Sequence, residues 1–264
     1  KARGKLRGRG LATPIEASGA GFTPFDAVEM RFDGDANIAM FATSQNQGQG
    51  HETVFAQVLS QTLGVPVEQI EVRQGDTRTI PHGGGTGGSS STIITGTTLK
   101  RAADVVIQRG RDLAAERLET SPADIVFKDG SFEVVGTDRR IGLLELAEHK
   151  PFEGDAVFAD KIESFPTGVM VCEVEVDPDT GTVRIDRLTS VTDAGVVVNP
   201  RLLDGQIHGG IAHGLGNAAM EEAIYDEETG QLLTGTLMDY ALPRAEDLPN
   251  FTVETIVTPS PNNM

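Results

Sequence analysis

A chain of 264 residues, 38% hydrophobic and 23% charged, is long and apolar enough for one large domain or two small ones, and lies outside disordered or fibrous compositions. Thirty-nine acids against 22 bases give a formal charge of −17, the opposite of a nucleic-acid binder, and the only basic cluster is residues 1–9. One cysteine cannot form an internal disulfide, five scattered histidines offer no metal-ligand spacing such as CxxC or HExxH, and apolar runs such as GVMVCEV are too short to span a bilayer.

No apolar stretch follows the basic start KARGKLRGRG, so no signal peptide and a cytoplasmic location are expected. Residues 27–44 read as two strands joined around Asp33-Gly34. After the polar stretch SQNQGQGHET, residues 55–64 read as a helix with apolar positions at 55, 58, 59 and 63 and Gly64 as its stop. The strand IEVRQGDT leads into HGGGTGGSSST (82–92), and a long amphipathic helix is predicted over 98–118. Residues 123–136 repeat the hairpin pattern around Asp129-Gly130. Two long strands around DPDTG follow over 169–192, with Cys172 read as a small buried apolar residue rather than a nucleophile.

A third helix is predicted over 202–223, with glycines at 205, 209, 210, 214 and 216. Each glycine costs about 1 kcal/mol in a helix interior. Such a helix is expected to be buried in a tight interior, beside a ligand. Residues 223–236 read as another strand pair around DEETG, and 251–258 as a final strand. The pattern predicts an α+β fold with mixed sheets and packed helices. HKPFEGDAVFADKIESFPTG (near 150–165) is the candidate internal boundary.

All three helices follow a strand and a polar turn, and two of the turns are rich in Gly, Ser and Thr. The first turn of a helix leaves N–H groups unpaired and carries roughly half a positive charge. Glycines let an anion approach the backbone, and hydroxyls add donors. Two such loops suit a ligand with more than one phosphate, and glutamine suits the edge of a heterocycle. GQG alone is a weak signal, and HGGGTGGSSST also reads as a flexible linker, although its place between strand and helix favours an ordered turn. Neither loop is a Walker A or a Rossmann fingerprint. His51 and Glu52 point about 100° apart on a helix, so capping is favoured over a catalytic dyad. His208 and His213 read as core or cofactor-adjacent residues, not metal ligands.

Three segments together carry a resemblance: GQGHETVFAQVLSQTLGVPVEQIEVRQGDT, TGGSSSTIITGT, and DAGVVVNPRLLDGQIHGGIAHGLGNAAMEEAIYDEETGQLLTGTLMDYALPRAEDLPNF. In this order and spacing they resemble the molybdenum hydroxylases: xanthine dehydrogenase, aldehyde oxidase and the aerobic carbon monoxide dehydrogenase large subunit. GQGHET and GQIHGG look closer to the bacterial carbon-monoxide-dehydrogenase-like large subunits than to animal xanthine dehydrogenases. The resemblance implies an oxidoreductase with a molybdopterin cofactor carrying molybdenum, extended in bacteria by cytosine dinucleotide, and a small-molecule substrate oxidised with water as oxygen source.

The resemblance also implies site residues. Gly48, Gln49 and Gly50, with His51 and Thr53, match the loop near the metal and dithiolene end. Thr86, Gly87, Gly88, Ser89, Ser91 and Thr92 match the loop that passes the metal centre and grips the phosphates. Asp193, Ala194, Gly195, Asn199 and Gln206 match the third contact, with Gln206 on the pterin. Ser90 stands where carbon-monoxide-dehydrogenase-like members commonly carry Arg, which removes a guanidinium. The family's catalytic Glu follows a PSPNN-like stretch, and here that stretch ends at Met264, so no catalytic residue is expected within the chain and the chain is expected to be inactive alone. Residues 1–155 and 156–264 are expected to form two structural repeats, the second truncated before the Glu motif. Implied partners are the remaining half of the molybdenum subunit and iron–sulfur and flavin subunits or domains, with no nucleic acid and no membrane span. The alternative is a non-catalytic module that binds a nucleotide-like ligand or handles the cofactor.

Overall fold

The computed structural model describes residues 4–19, 26–32, 37–80 and 83–261. In chain order their elements are β1 (Leu6–Ala12), β2 (Asp26–Phe32), β3 (Ile38–Ala42), α1 (His51–Leu63), β4 (Ile70–Arg73), α2 (Ser91–Arg117), β5 (Ile125–Lys128), β6 (Ser131–Val134), β7 (Arg140–Gly142), α3 (Leu143–His149), β8 (Glu153–Phe158), β9 (Thr167–Val176), β10 (Val183–Asp193), α4 (Pro200–Ala219) and β11 (Phe251–Ile256). The mixed sheets and packed helices agree with the predicted class. The chain divides into two compact units, one of Glu16–Phe165 with Pro259–Met264, the other of Lys1–Ile15 with Pro166–Thr258. This is a division by packing, distinct from one into repeats.

In the first unit, β4-β3-β2-β8 form one sheet and β5-β6-β7 another. The β2–β3 and β5–β6 hairpins occur where Asp-Gly turns predict them. The Asp33-Gly34 turn lies outside the described residues. Alternation puts Val28, Met30, Ile38 and Met40 in a core with Phe55, Leu59 and Leu63 of α1 and Leu99, Ala102, Ala103 and Val106 of α2. Each large side chain buried this way contributes about 1.5–3 kcal/mol. Small residues let α2 lie close on β8: a Cβ on Gly154 would sit 2.5 Å from Val106 Cγ2 and 2.8 Å from the Ala102 carbonyl oxygen.

Both helices start earlier than apolar periodicity suggests. In α2 the buried positions near the start are Ile94, Thr95, Gly96 and Thr98, and only Ile94 among them carries a hydrophobic signal. At the far end of α1, Gly64 takes φ 62°, and its backbone meets that of Gly130 in the β5–β6 turn. Neither position has room for a Cβ.

In the second unit the sheet order is β1-β9-β10-β11, with β10 and β11 parallel across α4. The first unit uses the same pattern: β8, β2 and β3 are successively antiparallel, and β3 pairs in parallel with β4 across α1. One face of the β1-β9-β10-β11 sheet carries ion pairs, among them Arg9–Glu173 at 2.7 Å and Arg184–Asp186 at 3.0 Å. The other aligns Val174 with Ile185 and Cys172 with Leu188. Cys172, read from the sequence as a small buried residue, is half-buried, and that partial burial pushes its thiol above its ordinary pKa.

Two expectations fail. Only Ile211 and Gly216 of α4 are buried, and a Cβ at Gly205, Gly209, Gly210 or Gly214 would meet nothing within 4 Å. Leu203, Ile207 and Leu215 are half-buried beside Ile211, while those four glycines are exposed. Residues 223–236 form no strand pair, only an isolated bridge between Tyr225 and Leu232. Asp226 draws the segment into a local turn, accepting from both the N–H and the hydroxyl of Thr229.

Candidate functional site

The entrance to α1 is built by Asn46. Its Oδ1 accepts the Gly48 N–H at 3.0 Å and the Gly50 N–H at 3.1 Å, and its amide nitrogen donates to Glu52. Gly48 (φ 110°) and Gly50 (φ 81°) adopt backbone angles that only glycine reaches easily. The Gln49 Oε1 turns back to accept the Gln47 N–H at 2.6 Å, which leaves the Gln49 amide N–H groups. The expected capping by His51 and Glu52 does not occur: Gly50 is the N-cap, and no side chain caps the helix. His51 is buried instead, its ring 4.9 Å from that of Phe55. Burial holds its pKa below the ordinary value, opposed by the Glu52 charge. Thr53 is exposed in the first turn.

The entrance to α2 is an ordered turn, not a linker. Gly85, Gly88 and Ser89 have φ of 77°, 58° and 51°, and the buried Ser90 folds its hydroxyl back onto the Gly87 carbonyl at 2.6 Å. No side chain caps α2, and Ser91 and Thr92 lie in its first turn. Ser89, strained in the left-handed region, donates its hydroxyl to Glu16 Oε1 at 2.6 Å. The two entrances are stitched together at Gln45 and Thr86. The Thr86 hydroxyl accepts the Gln45 N–H at 2.9 Å and donates to the Gln45 carbonyl at 2.7 Å, while the Thr86 N–H donates to Gln45 Oε1 at 3.3 Å.

The remaining predicted residues lie in the second unit and have local duties. Asp193 Oδ1 accepts the Gly195 N–H at 3.0 Å and the Thr258 N–H at 3.2 Å. Hydrogen bonding from Thr258, then from Gly195, holds its carboxyl below the usual range. Ala194 is exposed. Asn199 Oδ1 caps α4 by accepting the Leu202 N–H at 3.1 Å, with Pro200 as the first helical residue. Gln206 is exposed on α4, and His208 sets its ring edge-on to Phe251 at 5.4 Å. Thus Gly48–Thr53 and Thr86–Thr92 share one unit, and Asp193–Gln206 belong to the other. Sequence reasoning missed Gln45 and Gln74, whose polar partners Thr86 and Ser44 are distant in sequence, and Asn46, whose partners Gly48, Gly50 and Glu52 are local.

An anionic group fits the first pair of loops on two grounds. Both helix starts lack a side-chain cap, so their N–H groups and the positive end of each helix dipole are available to a ligand. At Gly48 and Gly87 a Cβ would meet nothing within 4 Å, so the backbone is open to close approach. Thr43 adds a buried hydroxyl with no hydrogen-bond partner among the described residues, and a Cβ on Gly83 would press on that side chain at 2.5 Å.

The family model for the molybdopterin cofactor-binding domain matches residues 1–249. The chain belongs to that family. As a molybdopterin cofactor-binding domain it is 38% identical to the 6-hydroxypseudooxynicotine dehydrogenase complex subunit gamma of Paenarthrobacter nicotinovorans, over 100% of this chain and 34% of that protein. It is 34% identical to the carbon monoxide dehydrogenase large chain of Hydrogenophaga pseudoflava, over 98% of this chain and 34% of that one. The solved Cu,Mo-CO dehydrogenase, in its carbon monoxide reduced state, matches with a TM-score of 0.89 at 30% identity, covering 98% of this chain and 35% of that chain. The chain therefore spans about a third of the length of the relatives it matches.

Proposed function

We propose that this chain binds the pterin and phosphates of a molybdenum cofactor within the large subunit of an oxidoreductase of the molybdenum hydroxylase type. The observation that carries the reading is the pair of uncapped helix starts with open glycine backbone, stitched together at Gln45 and Thr86. Backbone N–H groups at His51–Thr53 and Ser91–Thr92 and the Ser91 and Thr92 hydroxyls would hold phosphate oxygens. The Gln49 amide would donate to the pterin edge. When bound, the group supplies two-electron oxidation of a small substrate with water as the oxygen source. This chain's residues bind and orient it. Ser89 contributes least, because its hydroxyl is engaged by Glu16.

The cytosine dinucleotide form is favoured by likeness to carbon monoxide dehydrogenase. The remainder of the molybdenum subunit and iron–sulfur and flavin subunits would be the partners. Metal analysis and nucleotide release on the protein that carries this chain test the reading. Molybdenum together with cytidine monophosphate is expected. Gly87→Val or Thr92→Val should lower both about tenfold, consistent with losing a charge-assisted hydrogen bond, and Ser89→Ala should leave them nearly unchanged. Folded protein with neither molybdenum nor pterin, isolated from cells that make the cofactor, would refute it in favour of a non-catalytic module.

A further inference from the structure

The registers of the two four-stranded sheets align them position by position. In the first unit one row runs Gly154–Met30–Met40–Val72 across β8, β2, β3 and β4. In the second the corresponding row runs Gly10–Cys172–Leu188–Phe251 across β1, β9, β10 and β11. Paired positions point to the same face of a sheet, so each row marks the face on which that unit's helices lie.

Two helices share this face in the first unit. α1 lies against β4, and α2 against β2 and β8. A Cβ on Gly154 would press on Ala102 and Val106 of α2, and Met30 and Met40 are fully buried. In the second unit α4 covers the half that corresponds to α1. It lies against β11, His208 meets Phe251 edge-on, and Leu188 is buried. The half that corresponds to α2 is bare. No residue of β1 or β9 is buried, Leu6 is 60% exposed, and a Cβ on Gly10 would meet nothing within 4 Å.

That bare half is nevertheless built as an interior. Leu6, Gly8 and Gly10 alternate along β1 opposite Val176, Val174 and Cys172 of β9. The charges stand on the reverse face, where Arg7 pairs with Glu175 and Arg9 with Glu173. Water serves the charged face, whereas the apolar face gains free energy only when something covers it. Gly8 and Gly10 also make it shallow, as Gly154 does under α2, which suits the close approach of a helix.

We propose that an amphipathic helix from the rest of the large subunit lies on β1 and β9, entering after β11 as α2 enters after β4. Small residues of that helix lie over Gly8 and Gly10 as Ala102 lies over Gly154. The chain spans about a third of the length of its relatives, so the polypeptide of such a subunit is long enough to supply it. The inference rests on the reading of this chain as part of a large subunit, and not on the cofactor it would hold.

Photocrosslinking in the parent protein identifies the occupant. With p-benzoylphenylalanine in place of Val176, at the rim of the face, peptide mapping after irradiation is expected to join position 176 to a segment of the same polypeptide that follows β11. A join to a second copy or to another subunit, or no join at all, overturns the proposal. Cys172, at the centre of the face, gives a test that needs no variant. In the native parent protein it should stay unlabelled by a maleimide over the time in which unfolded protein is fully labelled, and ready labelling of the native protein overturns the proposal. Gly10→Val should lower the thermal midpoint of the parent protein, because the side chain meets the helix. On an open strand the same change favours strand geometry, so an unchanged or raised midpoint also overturns it. Molybdenum and pterin measured on the same protein separate the two readings. The expected join with neither group present keeps the helix and removes the cofactor reading, and both groups with a freely labelled Cys172 remove the helix alone.

Discussion

Two strand–helix–strand stretches of one topology, β3–α1–β4 and β10–α4–β11, stand in opposite relations to solvent. The first helix buries seven residues and starts at an uncapped glycine, while the second buries two and starts at a side-chain cap from Asn199. Glycine serves different ends in the two. At Gly48, Gly50 and Gly64 it supplies left-handed backbone at the ends of α1, and within α4 it leaves an open helix surface. The lesson is that glycine-rich sequence marks either an approachable backbone or a required backbone angle, and only packing tells which.

The sharpest way to break this contrast is to add the same methyl group to both helices. Gly64→Ala forces a Cβ into the Gly130 backbone at a left-handed φ and should cost about 3 kcal/mol, seen as a lower denaturant midpoint. Gly130→Ala, on the other side of that contact, should act alike. Removing the cap that α4 has and α1 lacks is the next largest change: Asn199→Ala should cost about 1 kcal/mol in the same assay. Gly209→Ala should reverse the sign and stabilise by about 0.5–1 kcal/mol, because the position is an open helix interior. A loss there as large as at Gly64 would show that the α4 surface is covered in solution.

The smallest effect concerns pH and touches only the first stretch. His51 has a folded pKa below its unfolded value near 6.5, so as pH falls the unfolded chain takes up the proton first. The stability linked to His51 is therefore present above that value and lost as pH falls toward the folded pKa. His51→Gln should flatten the slope of unfolding free energy against pH just below about 6.5. An unchanged slope would show that the burial of His51 is not maintained in solution.

Much of this was legible in advance. The Asp-Gly hairpins, the Gly64 stop and the polar entrances follow from local backbone chemistry, which nearest neighbours decide. The earlier start of α2 was not, because Ile94 is the single apolar residue among its first four buried positions, the others being Thr95, Gly96 and Thr98. Nor was the fate of DEETG, where the Asp226 side chain competes with strand pairing.

Three segments in their order and spacing were enough to recognise the family by resemblance, and the strand, turn and helix signals gave the fold class, because turn and helix-start residues set backbone angles locally. Which hydroxyls remain free and which are consumed, as Ser89 is by Glu16 and Thr86 by Gln45, was decided only by tertiary structure. So was the burial of Asp26, Ser44, His51 and Thr95. A hydrogen bond is chosen by distance in space, and residues 26, 44, 51, 74 and 95 become neighbours only when β2, β3, β4 and two helix starts are packed together.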